Sequence, residues 1–120
     1  MNLTVNQPTS MNFKAKLPTK DILEVTTGRV LGERGIRGVY NVCDTMTERP
    51  NFTHELLDVA PTVRKALYEQ FPILKEITKD SENFFKEKKS YEEIQNWVNK
   101  QIKKIGSTEL DVKTLKEWNV

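Results

Sequence analysis

Apolar residues along the chain fall into two periods. Met11, Phe13, Ala15 and Leu17 alternate with Asn12, Lys14 and Lys16, the spacing of a half-buried strand. Pro18 ends that run. Thr19 is suited to cap a short helix in which Asp21 sits near the positive end of the dipole and Ile22, Leu23 and Val25 supply the apolar side. Gly28 closes it, because glycine takes the left-handed conformation without a Cβ clash. Val39, Val42, Cys43 and Met46 then fall at i, i+3, i+4 and i+7, a second helical stripe that ends before Pro50.

Asn51 to Glu55 reads as a turn, followed by a short helix through Leu56 and Leu57. Pro61 suits the first turn of a further helix, since its missing N–H would be unpaired there anyway. Val63, Ala66, Leu67 and Phe71 line one face of it until Pro72. Residues 72–89 are ambiguous: Ile73, Leu74 and Ile77 predict a short amphipathic turn, and Phe84-Phe85 an anchor in a charged stretch. Ser90-x-x-Glu93 is a capping box. It opens a helix with Tyr91, Ile94, Trp97, Val98, Ile102 and Ile105 on one side, closed by Gly106. Leu110 and Val112 alternate with Glu109, Asp111 and Lys113 as a last short strand.

A strand near each end with helices between predicts that the two strands pair. The expected fold is a helix-rich α+β domain of about four to five helices with a small antiparallel sheet joining the N- and C-terminal strands. It spans residues 11–120 as one domain. Residues 1–10, with Pro8, Thr9 and Ser10 and little to bury, are expected to form the least ordered part, a flexible leader.

Composition narrows the function more by exclusion than by suggestion. Of 120 residues, 37% are hydrophobic and 30% charged, too apolar for a solvated tail and too charged for a membrane protein. No apolar stretch approaches the roughly 18 residues of a membrane span. The first residues have neither the basic nor the apolar region of a secretory signal, so the Asn2 and Asn51 glycosylation triplets read as chance matches and the cytoplasm is the expected location. One cysteine, Cys43, and one histidine, His54, rule out a disulfide framework and a Cys/His zinc site. Neither a metal nor a cofactor is expected. Nineteen Lys+Arg against 17 Asp+Glu leave +2, which selects no partner by bulk charge.

The densest anomaly is residues 28–38, Gly-Arg-Val-Leu-Gly-Glu-Arg-Gly-Ile-Arg-Gly. They hold four of the five glycines and three of the five arginines. Glycines admit close backbone approach, successive N–H groups can nest an anion, and Arg29, Arg34 and Arg37 can fork onto a phosphate or carboxylate. Thr27 and His54 join them as candidates for an anion or partner site. The spacing matches no phosphate loop. The plainer reading is a tight helix-to-helix connection with its arginines in solvent.

His54 is the first place to look for general acid–base chemistry, with Thr53, Glu55 and Asp58 beside it, but a histidine next to a capping threonine is more often structural. Cys43 sits on an apolar stripe and reads as core. Lys86, Lys88, Lys89, Lys100, Lys103 and Lys104 make a basic group near Phe84, Phe85, Tyr91 and Trp97, the combination of a nucleic-acid surface. Tyr91 and Trp97 are needed for the helix's apolar side, however, and outward lysines are routine solvation. A helix-turn-helix over 53–71 would put only Arg64 and Lys65 on its recognition helix.

The stretch Asp21-Ile22-Leu23-Glu24-Val25-Thr26-Thr27-Gly28-Arg29, followed by Gly38-Val39-Tyr40, Met46-Thr47 and Phe52-Thr53-His54-Glu55-Leu56, resembles a family of small phage and prophage proteins known only as a domain of unknown function. The resemblance covers roughly residues 20–75 and extends weakly to Trp97 and the Leu110–Val112 strand. Glu55 stands where that family usually has Gln, and Glu48-Arg49-Pro50 replaces a glycine-acidic turn. The resemblance implies a phage origin and a compact α+β fold, and it carries no activity. It adds weight to Thr26, Thr27, Gly28, Arg29, Thr53 and His54 as motif positions.

The expected function is that of a non-enzymatic phage or prophage accessory protein that binds a host or phage protein, including inhibitors of host defence of the anti-CRISPR kind, by analogy. A nucleic-acid-binding accessory using the Lys86–Lys104 group is the alternative, and an enzyme centred on His54 with Arg29 the weakest. Protein binding predicts an exposed apolar or aromatic patch, with Phe84 and Trp118 as candidates.

Overall fold

The computed structural model describes residues 15–118. Its elements in chain order are β1 (Ala15–Pro18), α1 (Thr19–Thr27), α2 (Arg37–Thr47), α3 (Thr53–Gln70), α4 (Ile73–Phe84), α5 (Tyr91–Ile105), β2 (Glu109–Val112) and α6 (Leu115–Trp118). The strands pair antiparallel, Ala15 opposite Val112 and Leu17 opposite Leu110, so Leu17 and Val112 both turn into the core. The fold is thus a helix-rich α+β domain, with five longer helices and a single-turn sixth among the described residues. The leader 1–10 and the strand positions Met11 and Phe13 lie outside the described residues.

Most of the fold packs around α1. It contacts α2, α3, α4, α5 and both strands, and Asp21 through Thr26 are all buried, as is Thr19. A helix buried on every side leaves its polar residues no water, so each needs a protein partner. That requirement shapes the rest of the molecule. The core proper joins Leu17, Ile22, Leu23 and Val25 to Leu31, Val42, Met46, Val63, Leu67, Leu74, Ile77 and Val98.

Several local expectations need correction. Thr19 does not cap α1; Pro18 holds that place, and Thr19 is the first helical residue. Its hydroxyl donates to the Ser107 carbonyl at 2.8 Å and its N–H to that of Thr108 at 2.9 Å, tying α1 to the approach of β2.

Pro61 does not start a helix. One continuous helix, α3, runs from Thr53 through Pro61 to Gln70. Proline removes the N–H that would meet the Leu57 carbonyl, but Leu57 and Pro61 both lie on the exposed side, where water can replace that bond.

Residues 73–84 are a full helix rather than a turn, because buried Ser81 continues the Leu74–Ile77 stripe. Its hydroxyl is spent on the Thr78 carbonyl at 2.6 Å, so a polar residue fits an apolar slot. Tyr91, expected on the apolar side of α5, is exposed. The Ser90–Glu93 capping box forms as expected, with Glu93 N–H donating to Ser90 Oγ at 3.1 Å and Ser90 N–H to Glu93 Oε1 at 2.9 Å. That second bond depresses the Glu93 carboxyl. No helix among the described residues is long and apolar enough to cross a membrane.

Candidate functional site

Thr26-Thr27-Gly28-Arg29 builds the C-terminal end of α1. Gly28 takes φ 72° and returns its N–H to the Glu24 carbonyl. Thr27 Oγ1 donates to the Leu23 carbonyl at 2.7 Å and accepts the Arg29 N–H at 3.3 Å. The last carbonyls of a helix have no donor of their own; here α3 supplies them. Arg64 Nε donates to the Val25 carbonyl at 3.0 Å, and Tyr68 Oη to the Thr26 carbonyl at 2.9 Å. Thr27 is therefore engaged in capping.

The segment after Gly28 folds back over α1 as a strap, held by the buried polar residues of that helix. Leu31 inserts into the core, fully buried. Its N–H donates to Glu24 Oε2 at 2.7 Å, and its carbonyl accepts from Gln95 Nε2 at 2.6 Å. Arg34 Nη1 reaches both oxygens of buried Asp21, at 3.2 and 3.3 Å. Asn41 Nδ2 donates to the same carboxylate at 2.9 Å.

The strap re-enters helix at Gly38, the second residue of α2, against which both carboxylates are pressed. A Cβ there would meet Glu24 Oε1 at 2.0 Å and Asp21 Oδ1 at 2.8 Å. Glycine is required for this approach, and it sets two carboxylates at the positive end of α2's dipole.

The three arginines therefore do not converge. Arg34 is paired with Asp21, and Arg29 lies over the Phe85 ring at 4.5 Å from its centre. Arg37 is exposed at the start of α2. The strap is a tight connection with one arginine in an ion pair.

Burial pushes the Glu24 carboxyl up, opposed by the Leu31 N–H and reinforced by Asp21. A carboxyl raised in the folded state stabilises the protein below its unfolded value and loses that contribution as pH rises through the folded one. Glu24→Gln removes this dependence. The melting temperature of the wild type minus that of Glu24→Gln should therefore fall as pH rises from about 4 towards 7. A flat or rising difference in a calorimetric pH series would contradict the burial of this charge.

The other motif residues hold α2 to α3. Tyr40 and Thr53 share a hydrogen bond between their hydroxyls. Asn51, buried, donates its N–H and its side-chain amide to Asp44 Oδ1 at 3.0 and 2.9 Å. Glu55 accepts the Phe52 N–H at 2.8 Å and pairs with Arg49 at 3.1 Å; the first contact, then the second, lowers its carboxyl. Glu48 ends α2 at φ 58°, the only non-glycine at positive φ among the described residues, and its Oε2 accepts from Thr114 Oγ1 at 2.7 Å. His54 is exposed on the first turn of α3, its ring stacked on Phe52 at 6.0 Å. Cys43 is fully buried, and burial pushes its thiol up to about 11, far from a reactive thiolate.

The six lysines form two groups. Lys86, Lys88 and Lys89 lie in the turn before α5, with Lys89 Nζ over the Phe84 ring at 4.7 Å. Lys100, Lys103 and Lys104 lie towards its other end, and the last two complement the C-terminal dipole. From Tyr91 to Lys103 the helix climbs about 18 Å. Phe84, an expected patch residue, is stacked on Trp97 at 5.3 Å and half buried. The Trp118 side chain lies outside the described residues. Among the described residues no group of His, Cys, Asp and Glu could hold a metal ion.

What the strap and α3 enclose between them is a cleft of about 310 Å³. Val30 and Ile36 line it from the strap, Leu57 and Ala60 from α3, with Arg29 and Arg64 among its walls. Val30 is 55% exposed, Ile36 47% and Leu57 82%. None of these aliphatic residues was singled out by periodicity. Leu57 is apolar yet out of register with the buried stripe of α3, Val30 belongs to no helix, and Ile36 stands one turn ahead of Val39 at the start of α2. Neither His54 nor any of the six lysines lines this cleft.

A family described as a domain of unknown function, DUF7736, matches residues 17–77, just over half of the chain. The protein belongs to the DUF7736 family. No curated protein and no solved structure matches it. In this DUF7736 chain the matched region holds β1's last two residues, α1, the strap, α2, α3 and the start of α4. Every residue lining the apolar cleft falls inside it, and the six lysines fall outside.

Proposed function

We propose that this DUF7736 protein is a phage- or prophage-encoded accessory protein that acts without catalysis, by binding another protein of the phage or its host. The carrying observation is the gathering of Val30, Ile36 and Leu57 on one open cleft. Scattered exposed apolar residues need no explanation, whereas a contiguous patch marks an interaction site. The residues around it favour a preformed surface, because the strap wall is pinned at Leu31 and Arg34 and little ordering entropy is lost on binding. Phage origin follows the motif resemblance, and with it come action in the host cytoplasm and the narrower role of a defence inhibitor.

Affinity purification from infected cells tests this reading, with wild type beside Leu57→Asp. Leu57 is exposed, so the substitution leaves folding intact. A discrete partner retained by wild type and lost by Leu57→Asp is expected. Equal recovery on both would place any binding elsewhere. Nucleic-acid binding predicts instead retention on DNA or RNA at low salt with a steep salt dependence, and the separation of the lysines into two groups does not favour it.

A further inference from the structure

The apolar cleft does not end at Arg64. A second cleft, of about 340 Å³, is lined by Pro61, Arg64, Lys65, Tyr68, Glu69 and Lys75, and it shares Pro61 and Arg64 with the first. The two clefts therefore adjoin along α3, and the groove is the pair of them. Its floor is a stripe of α3: Leu57, Pro61, Arg64 and Tyr68 follow at steps of four, three and four residues, one face of a helix, with Lys65 beside them four residues after Pro61. From Leu57 to Tyr68 the stripe is about 16 Å long.

The groove changes character along its length. One end is mostly aliphatic, with Val30, Ile36 and Leu57 exposed and with one cation, Arg29, and the buried Glu24 in its walls. The other carries Arg64, Lys65 and Lys75 against the single acid Glu69. Arg64 spends its Nε on the Val25 carbonyl, which fixes the guanidinium at the junction of the two ends. Near that junction Pro61 has no N–H to give the Leu57 carbonyl.

We propose that this groove takes an acidic amphipathic helix of a protein partner, its apolar residues against Val30, Ile36 and Leu57 and its carboxylates against Arg64, Lys65 and Lys75. The proposal rests on the protein-binding reading above and specifies the partner's chemistry. Charge complementarity sets the sign: three cations to one acid at one end, aliphatic side chains at the other, match a partner that is apolar in one stretch and acidic in the next. A single-stranded nucleic acid fits less well. Its bases need aromatic faces to stack on, the apolar end is aliphatic, and the Tyr68 hydroxyl is tied to Thr26 and Thr78.

The test uses the full chain and fluorescence anisotropy with three probes. These are an amphipathic Leu/Glu peptide of about five helical turns, the same peptide with every Glu replaced by Lys, and an oligothymidine strand. The acidic peptide is expected to bind and the basic one not. Lys65→Glu/Lys75→Glu and Leu57→Asp should each weaken binding about tenfold or more, while Lys103→Glu/Lys104→Glu leaves it unchanged. Equal binding of the two peptides, binding of neither, or tighter binding of oligothymidine with loss on Lys65→Glu/Lys75→Glu overturns the proposal. Capture of a cellular partner that is lost with Leu57→Asp but survives Lys65→Glu/Lys75→Glu leaves protein binding standing and overturns the acidic partner.

Discussion

Leu31→Ala is expected to cost about 3–4 kcal/mol of stability, within the range for a fully buried leucine. Leu31 has no solvent exposure, and it is the only residue of the strap in the core cluster. Its main chain is fixed at both ends, by Glu24 at the N–H and Gln95 at the carbonyl, so the backbone cannot sink to fill the space a methyl group leaves. The cost should therefore lie away from the low end of the range, because the least collapsible sites lose most. In a domain of this size that lowers the melting temperature by roughly 10–20 °C. Urea titration of wild type and variant measures it; a change below about 1 kcal/mol would mean that the strap is a surface loop rather than part of the core.

Gly38→Ala should cost about 2–3 kcal/mol, although alanine is the better helix former by about 1 kcal/mol. The new methyl would overlap Glu24 Oε1 at 2.0 Å and crowd the Asp21 carboxylate. A surface glutamate would swing aside. Glu24 is buried, and moving it breaks its bond to the Leu31 N–H, while moving Asp21 disturbs both Arg34 and Asn41. Overpacking costs about 1–3 kcal/mol, and a hydrogen bond to a charged group contributes about 1.5–3 kcal/mol, which together exceed the gain in helix propensity. The same substitution in Glu24→Gln still meets the side chain's far end, so the two changes should couple, and a double-mutant cycle reads that coupling. A neutral or stabilising Gly38→Ala would show that the carboxylates do not pack on α2.

Local chemistry was the legible part of the fold. The Ser90–Glu93 box, the Gly28 and Gly106 stops, the Leu110–Val112 strand and the Ala15–Leu17 part of the first strand need only neighbours in sequence, and each forms as its residues imply. Pro61 misled because its effect depends on which side of α3 faces water, a tertiary fact. Ser81 hid the length of α4 because its hydroxyl bonds within the helix, which periodicity scores as a polar break.

Along the strap the sequence shows the unusual segment but not what its residues meet. Glycine and arginine density at 28–38 is real, but Arg34 answers Asp21 thirteen residues upstream, and Gly38 answers two carboxylates on a buried helix. Nothing in the local spacing announces those partners. The cleft was invisible for the same reason: Val30 and Ile36 meet Leu57 only because the strap doubles back. The motif residues Thr26, Thr27, Gly28 and Thr53 serve the scaffold, and Arg29 reaches the cleft wall that the scaffold holds in place.

On the proposed reading, the strap and the outer face of α3 form a surface on which a protein partner docks. Site-specific photocrosslinking in infected cells tests it most directly, with Leu57→benzoylphenylalanine in the cleft compared with Lys103→benzoylphenylalanine on α5. One discrete crosslinked protein is expected from position 57 and none from position 103. A partner crosslinked from position 103 alone would move the interface to the lysines of α5 and contradict it.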